Sequence, residues 1–188
     1  MRLSLLLVTA ILLAPATADA QAIKSVEYKL LATSRTGTME KEMNQASEAG
    51  FHFETMTGGE TAFGGKETVT IMSRTGKGGR YRYKLLATSR TSTMEKEIQQ
   101  AAEDGFEYRG QAVFESLLGG KEVVVIMELN KDQPSLGWQY RLLATSKTGT
   151  MEKELNDVGD VGYQIVGTTV GQTLMGGKEL VAIVRRKK

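Results

Sequence analysis

A cation set among hydroxyls recurs three times along the chain: Thr33, Ser34, Arg35 and Thr36; Thr88, Ser89, Arg90 and Thr91; Thr145, Ser146, Lys147 and Thr148. Each set runs directly into an apolar stripe at helical spacing, so it stands where a helix N-terminus offers unpaired backbone N–H groups. Hydroxyls, a cation and free N–H groups together suit a phosphate, sulfate or carboxylate. Three copies of such a site would make a trivalent binder. The same hydroxyls serve equally well as helix caps, and the same charges as contacts between neighbouring units.

Other chemistry finds little support. There is no cysteine, and the single histidine, His52, is replaced by Glu107 and Gln164 at the corresponding places, so a zinc site is not expected. The hydroxyls lack a neighbouring base, and Glu40 and Glu42 stand two apart on a helix and face different ways. Gly-Gly-Lys-Glu at 64–67, 119–122 and 176–179 suggests a phosphate cradle, but a strand pattern follows it where a phosphate loop would open a helix. A hairpin turn is the reading adopted. The chain is therefore expected to hold no catalytic residue, metal or cofactor and not to be an enzyme.

The elements that position these residues come from an internal repeat. Residues 28–74, 83–129 and 140–186 align without a gap, as units bounded at 26–74, 81–129 and 138–186. Identity is uneven: 12 of the first 15 aligned positions are the same in all three copies, against 7 of the remaining 32. Random divergence would scatter the differences, so something holds the strand–helix junction constant. Packing of Tyr28, Leu30, Ala32 and Met39 explains part of it, but not Thr33, Ser34, Thr36, Thr38, Glu40, Lys41 and Glu42.

Each unit opens with period-two alternation, as in Val26, Tyr28, Leu30 and Ala32, which predicts a strand. Met39, Met43 and Ala46 then recur at spacings of four and three, as do Met151, Leu155 and Val158, which predicts a helix. Thr38 and Thr150 are the expected caps, with a Ser92–Glu95 capping box in the second unit, and Glu40 and Glu42 are placed to favour the helix dipole. Gly50, Gly105 and Gly162 end the helices. Two further strands follow, giving β-α-β-β. The fold class is α+β: three tandem repeats, each an antiparallel three-stranded sheet in the order first, third, second, with one helix on one face.

In the last strand, Val69 and Ile71, Val124 and Ile126, and Val181 and Ile183 are expected under the helix. The opposite face carries Thr68, Thr70 and Met72, then Val123, Val125 and Met127, then Leu180, Ala182 and Val184. The later two sets are too apolar for water, so the units are expected to pack through the backs of their sheets, with the threonine-rich first back most exposed. A 47-residue unit buries too little to stand alone without disulfides or metal. Sheet faces would also serve a homo-oligomer or a protein partner. Trp138, closing the second linker, is expected to anchor that linker.

The N-terminus resembles a signal peptide over residues 1–20: Arg2, an apolar run from Leu5 to Leu13, and Ala18-Asp19-Ala20 as the cleavage site. Cleavage near Ala20 predicts a periplasmic or secreted protein. Nothing later is long and apolar enough for a membrane span. Removing Arg2 and Asp19 leaves 23 basic and 21 acidic residues, a balance of +2 that does not suggest nucleic acid. The basic residues near the first linker and the C-terminus read as solvated.

The third unit reads Leu-Asn-Asp-Val-Gly-Asp-Val-Gly-Tyr from Leu155 to Tyr163, between Tyr140-Arg141-Leu142-Leu143 and a closing Leu-Val-Ala-Ile-Val-Arg-Arg. This resembles the small bacterial family catalogued as domain of unknown function 4177, whose short β-α-β-β domain carries a Leu-Asn-x-x-Gly-x-x-Gly-aromatic junction. The other units depart from it, with Met43-Asn44 and Ser47, and Ile98-Gln99 and Ala102. The resemblance implies the fold and brings no activity. The expectation is a secreted or periplasmic structural or protein-interaction module; a small-anion or saccharide binder using the Thr-Ser-Arg/Lys-Thr junctions is the alternative.

Overall fold

A computed structural model describes residues 25–61, 65–74, 80–88, 91–115, 121–172 and 178–188. The signal-peptide segment lies outside them, as do residues 62–64, 116–120 and 173–177, which include the start of each Gly-Gly-Lys-Glu turn. The first unit consists of β1 (Glu27–Thr33), α1 (Thr36–Glu48), β2 (His52–Thr61) and β3 (Gly65–Arg74). The second consists of β4 (Tyr81–Thr88), α2 (Thr91–Glu103), β5 (Glu107–Glu115) and β6 (Lys121–Asn130). The third consists of β7 (Trp138–Thr145), α3 (Thr148–Gly159), β8 (Gln164–Gln172) and β9 (Lys178–Lys187). Each sheet is antiparallel, in the orders β1-β3-β2, β4-β6-β5 and β7-β9-β8, so the first strand of every unit is an edge.

The helices close as their glycines demand. Gly50, Gly105 and Gly162 take φ of 89, 90 and 85°. The following Phe51, Phe106 and Tyr163 donate their N–H back to Ala46, Ala101 and Val158, at 3.0, 2.9 and 3.1 Å. This back-bonding satisfies helix carbonyls that would otherwise lack a partner.

The helix starts differ from expectation. Arg35 and Lys147 occupy the cap positions in extended conformation and make no side-chain cap bond. Thr33 and Thr145 instead turn their Oγ1 to the N–H of Arg35 and Lys147, both at 3.2 Å. Thr38 lies inside the helix, its N–H bonded to the Arg35 carbonyl at 3.1 Å. Glu40 falls beyond the first turn, which holds no acidic residue, so the dipole does not explain it. The side chain of Ser92 lies outside the described residues.

The sheet faces are exchanged relative to the sequence-based expectation. Met72 lies with Met39, Met43 and Ala46 of α1, while Val123, Val125 and Met127 lie with Met94, Ile98 and Ala101 of α2. Val184 likewise packs with Val158 of α3. Thr68 and Thr70 are buried, not the most exposed part of the molecule. Hydropathy misleads here because the helix-side threonines of β3 are buried while both faces of β6 are apolar, so alternation alone does not say which face lies under the helix.

The units do pack through their sheets, and in a head-to-tail sense. Val124, Ile126 and Ala112, on the back of the second sheet, join the first unit's core with Phe53, Met56 and Met72. Ile183, on the back of the third, joins the core built on α2. The helix-bearing face of one sheet thus also receives the back of the next.

Glycine permits the closest part of this approach. A Cβ at Gly110 would stand 3.3 Å from Phe53 Cζ, and one at Gly167 would stand 2.8 Å from Tyr108 Cζ and closer still to its hydroxyl. The corresponding residue of the first unit, exposed Thr55, meets no preceding unit. Gly167→Ala should therefore lower stability by about 1–3 kcal/mol in urea unfolding. Adding Tyr108→Ala should recover part of that loss in a double-mutant cycle, whereas strict additivity would show that the two positions are not in conflict.

Candidate functional site

Some of the constant residues, the strand tyrosine and leucine and the helix glutamate, meet at the two joints between units. Beginning with the free edge of β4, the Tyr83 N–H donates to Asn44 Oδ1 and its carbonyl accepts from Asn44 Nδ2, both at 2.9 Å. The Leu85 N–H donates to Glu40 Oε2 at 2.8 Å, and the Ser47 hydroxyl donates to the Tyr81 carbonyl at 2.7 Å. Side chains on one face of α1 thus complete the hydrogen bonding of a strand in the next unit. At the second joint the Tyr140 N–H donates to Gln99 Oε1 at 3.0 Å, and the Leu142 N–H to Glu95 Oε2 at 2.9 Å. Glu40, Asn44 and Ser47 recur one helical turn apart, the spacing that places them along one edge.

The tyrosine of each covered strand adds a second bond. A register shift interrupts β2 pairing between Phe53 and Thr55, and β5 pairing between Tyr108 and Gly110. Such a bulge removes an N–H from its ladder. The Phe53 N–H donates to the Tyr83 hydroxyl, and the Tyr108 N–H to the Tyr140 hydroxyl, each at 2.9 Å. Burial first, then the Glu128 carboxylate, holds the Tyr83 hydroxyl well above its ordinary value. Tyr140 is also raised by burial, although the Tyr108 N–H and Arg185 pull it back. Tyr108 is pushed up to about 12 by burial and then by Tyr140. All three stay neutral near pH 7, and the Tyr83 and Tyr140 hydroxyls serve as acceptors inside the joints.

Charge meets across each joint at equivalent places. His52 Nε2 stands 2.9 Å from Glu128 Oε2, and Arg109 Nε stands 3.1 Å from Glu128 Oε1. Arg109 Nη2 also reaches His52 Nε2 at 2.9 Å, so the ring tautomer decides whether that nitrogen donates to the acid or accepts from the guanidinium. At the second joint Arg185 Nη1 lies 3.8 Å from Glu107 Oε2. The Glu128 cluster borders a cleft of about 280 Å³ that Tyr81, Glu107 and Asn130 also line. Its acid is only 6 % exposed, paired with Arg109 and adjacent to His52 of the preceding unit, an arrangement suited to fixing the joint.

The junction residues singled out from the sequence stand apart from these joints. Arg35, Ser146, Lys147 and Thr148 are exposed, and Thr33, Ser34, Thr36, Thr91 and Thr145 are half-buried. Ser89, Arg90 and the side chain of Thr88 lie outside the described residues. The clefts described for the molecule are lined by none of the twelve.

Trp138 opens β7 rather than ending a free linker. It packs half-buried against the second core, with Arg185 4.0 Å over its ring. Compared with known protein families, curated proteins and solved structures, the chain shows no match. The family likeness of the third repeat therefore rests on its residues alone.

Glu40 and Glu152 are equivalent residues with unequal surroundings, and that inequality is measurable. Glu40→Ala leaves the Leu85 N–H without its acceptor and should cost about 1–3 kcal/mol. Glu152→Ala, at an exposed position whose side chain makes no hydrogen bond among the described residues, should change stability by less than about 0.5 kcal/mol. Equal losses in chemical denaturation of the two variants would contradict the role given to Glu40.

Proposed function

We propose that this is a secreted or periplasmic, non-enzymatic repeat protein that acts as a structural or protein-interaction module. The observation that carries the reading is the use of Glu40, Asn44, Glu95 and Gln99 to complete the strand edges of the following units. Among the constant polar residues that core packing left unexplained in the sequence, Glu40 and its equivalent Glu95 are used in this way, which supports a role in packing between units. The export part of the reading rests on the sequence of residues 1–20, and the resemblance to a small β-α-β-β family agrees with a modular role without supplying an activity.

The second reading, a small-anion or saccharide binder, draws on one observation. α1 and α3 begin without a side-chain cap and carry exposed Arg35 and Lys147 at that point. Calorimetry of the chain against phosphate, sulfate, citrate and simple saccharides separates the two. We expect no saturable heat, and a triple Arg35→Ala, Arg90→Ala, Lys147→Ala variant within about 0.5 kcal/mol of parent stability. Saturable binding by the parent that the triple variant loses would replace the module reading with the binder.

A further inference from the structure

The joint is used twice inside the chain, and each of its two halves is also presented once to solvent. At the leading end, Tyr28 and Leu30 on β1 are 63 and 66 % exposed, whereas their equivalents Tyr83, Leu85 and Tyr140 are 1, 9 and 3 % exposed. At the trailing end, α3 carries Glu152 and Asn156 in the places of Glu40 and Asn44. Both are exposed, and their side chains make no hydrogen bond among the described residues. Ile165 and Val170, on the helix-bearing face of the third sheet, are 52 and 53 % exposed, while Phe53 at the place of Ile165 is 5 % exposed.

The unused halves also match in detail. Inside the chain a large aromatic meets a glycine at each joint, Phe53 over Gly110 and Tyr108 over Gly167. At the open ends the equivalent pair is Ile165 and Thr55, a smaller side chain opposite a larger one. The pairs His52 with Glu128 and Glu107 with Arg185 would become the uncharged Gln164 with Ser73, which introduces no like-charge clash. A β-bulge between Ile165 and Gly167 repeats the one whose freed N–H a tyrosine hydroxyl accepts in the other units.

We propose that the chain associates head to tail with further copies of itself, α3 and β8 of one copy taking the β1 edge and sheet back of the next as α1 and β2 take β4. This rests on the module reading above and names its partner. Continuity with the two internal joints favours a second copy over an unrelated occupant: Glu152, Asn156, Tyr28 and Leu30 are the joint residues themselves. The contact is heterologous, so the copies build a ring if the rotation closes and a filament if it does not.

Two end-blocked variants test it. Tyr28→Asp with Leu30→Asp blocks the leading end, and Glu152→Arg with Ile165→Asp blocks the trailing end. All four positions are exposed, so both variants should melt with the parent; if the second does not, Glu152→Arg alone takes its place. By sedimentation equilibrium the parent should grow beyond one-chain mass as concentration rises. Each blocked variant alone should stay at one-chain mass, and a one-to-one mixture should stop at the mass of two chains, because each copy keeps one usable end.

A parent that is monomeric throughout overturns the proposal, as does a mixture that stays at one-chain mass. Association of the trailing-blocked variant alone also overturns it and would indicate pairing of two β1 edges; association of the leading-blocked variant alone would place the contact elsewhere. None of these outcomes alters the stability difference between the Glu40 and Glu152 variants or the calorimetry, so failure of self-association and failure of the module reading remain distinguishable.

Discussion

A three-stranded antiparallel sheet in the order first, third, second leaves the first strand of each unit with one row of backbone groups unpaired. An exposed edge of this kind is a template for unwanted pairing and, if buried without partners, a substantial cost. This chain meets the constraint with side chains of the preceding helix. Glu40, Asn44 and Ser47 bond the edge of β4 at Tyr81, Tyr83 and Leu85, and Glu95 and Gln99 take the Leu142 and Tyr140 N–H groups of β7. A net bond to a charged acceptor contributes about 1.5–3 kcal/mol, so Glu40 and Glu95 are large individual contributors to stability.

Head-to-tail repetition explains part of the uneven identity among the units. The covered strand residues Tyr83, Leu85, Tyr140 and Leu142 and the helix acids Glu40 and Glu95 fall within the first 15 positions of the alignment, whereas Asn44, Ser47 and Gln99 lie just beyond them. The second strand in chain order, β2, β5 or β8, also meets its neighbours across the joints, but through side chains that differ from copy to copy. Its changes are matched pairwise across the joints, as Phe53 with Gly110 and Tyr108 with Gly167 show, so it diverges freely. Charge follows the same logic, with His52 and Glu128 at one joint and Glu107 and Arg185 at the other.

The strand order, the helices and their glycine ends were legible because each has a local signature: period-two alternation in 28–32, the spacing of Met39, Met43 and Ala46, and glycine before an aromatic at 50–51. The faces were not. Both faces of β6 are apolar, so alternation alone does not say which lies under α2, and the threonines of β3 suggested solvent where α1 supplies cover. The strand-edge role of Glu40 was also hidden, because its partner Leu85 lies 45 residues away. A signal did exist: Glu and Asn or Gln at the same helix positions in every copy, facing a Tyr-x-Leu strand that begins every unit.

Native-state hydrogen exchange, followed amide by amide at a concentration where the chain is monomeric, tests the strand-edge account most directly. The N–H groups of Tyr83, Leu85, Tyr140 and Leu142 should be strongly protected, whereas those of Tyr28 and Leu30, on the same edge of an uncovered strand, should exchange at nearly the rate of unstructured chain. Equal protection of Leu30 and Leu85 would show that the preceding helix is not what completes the edge.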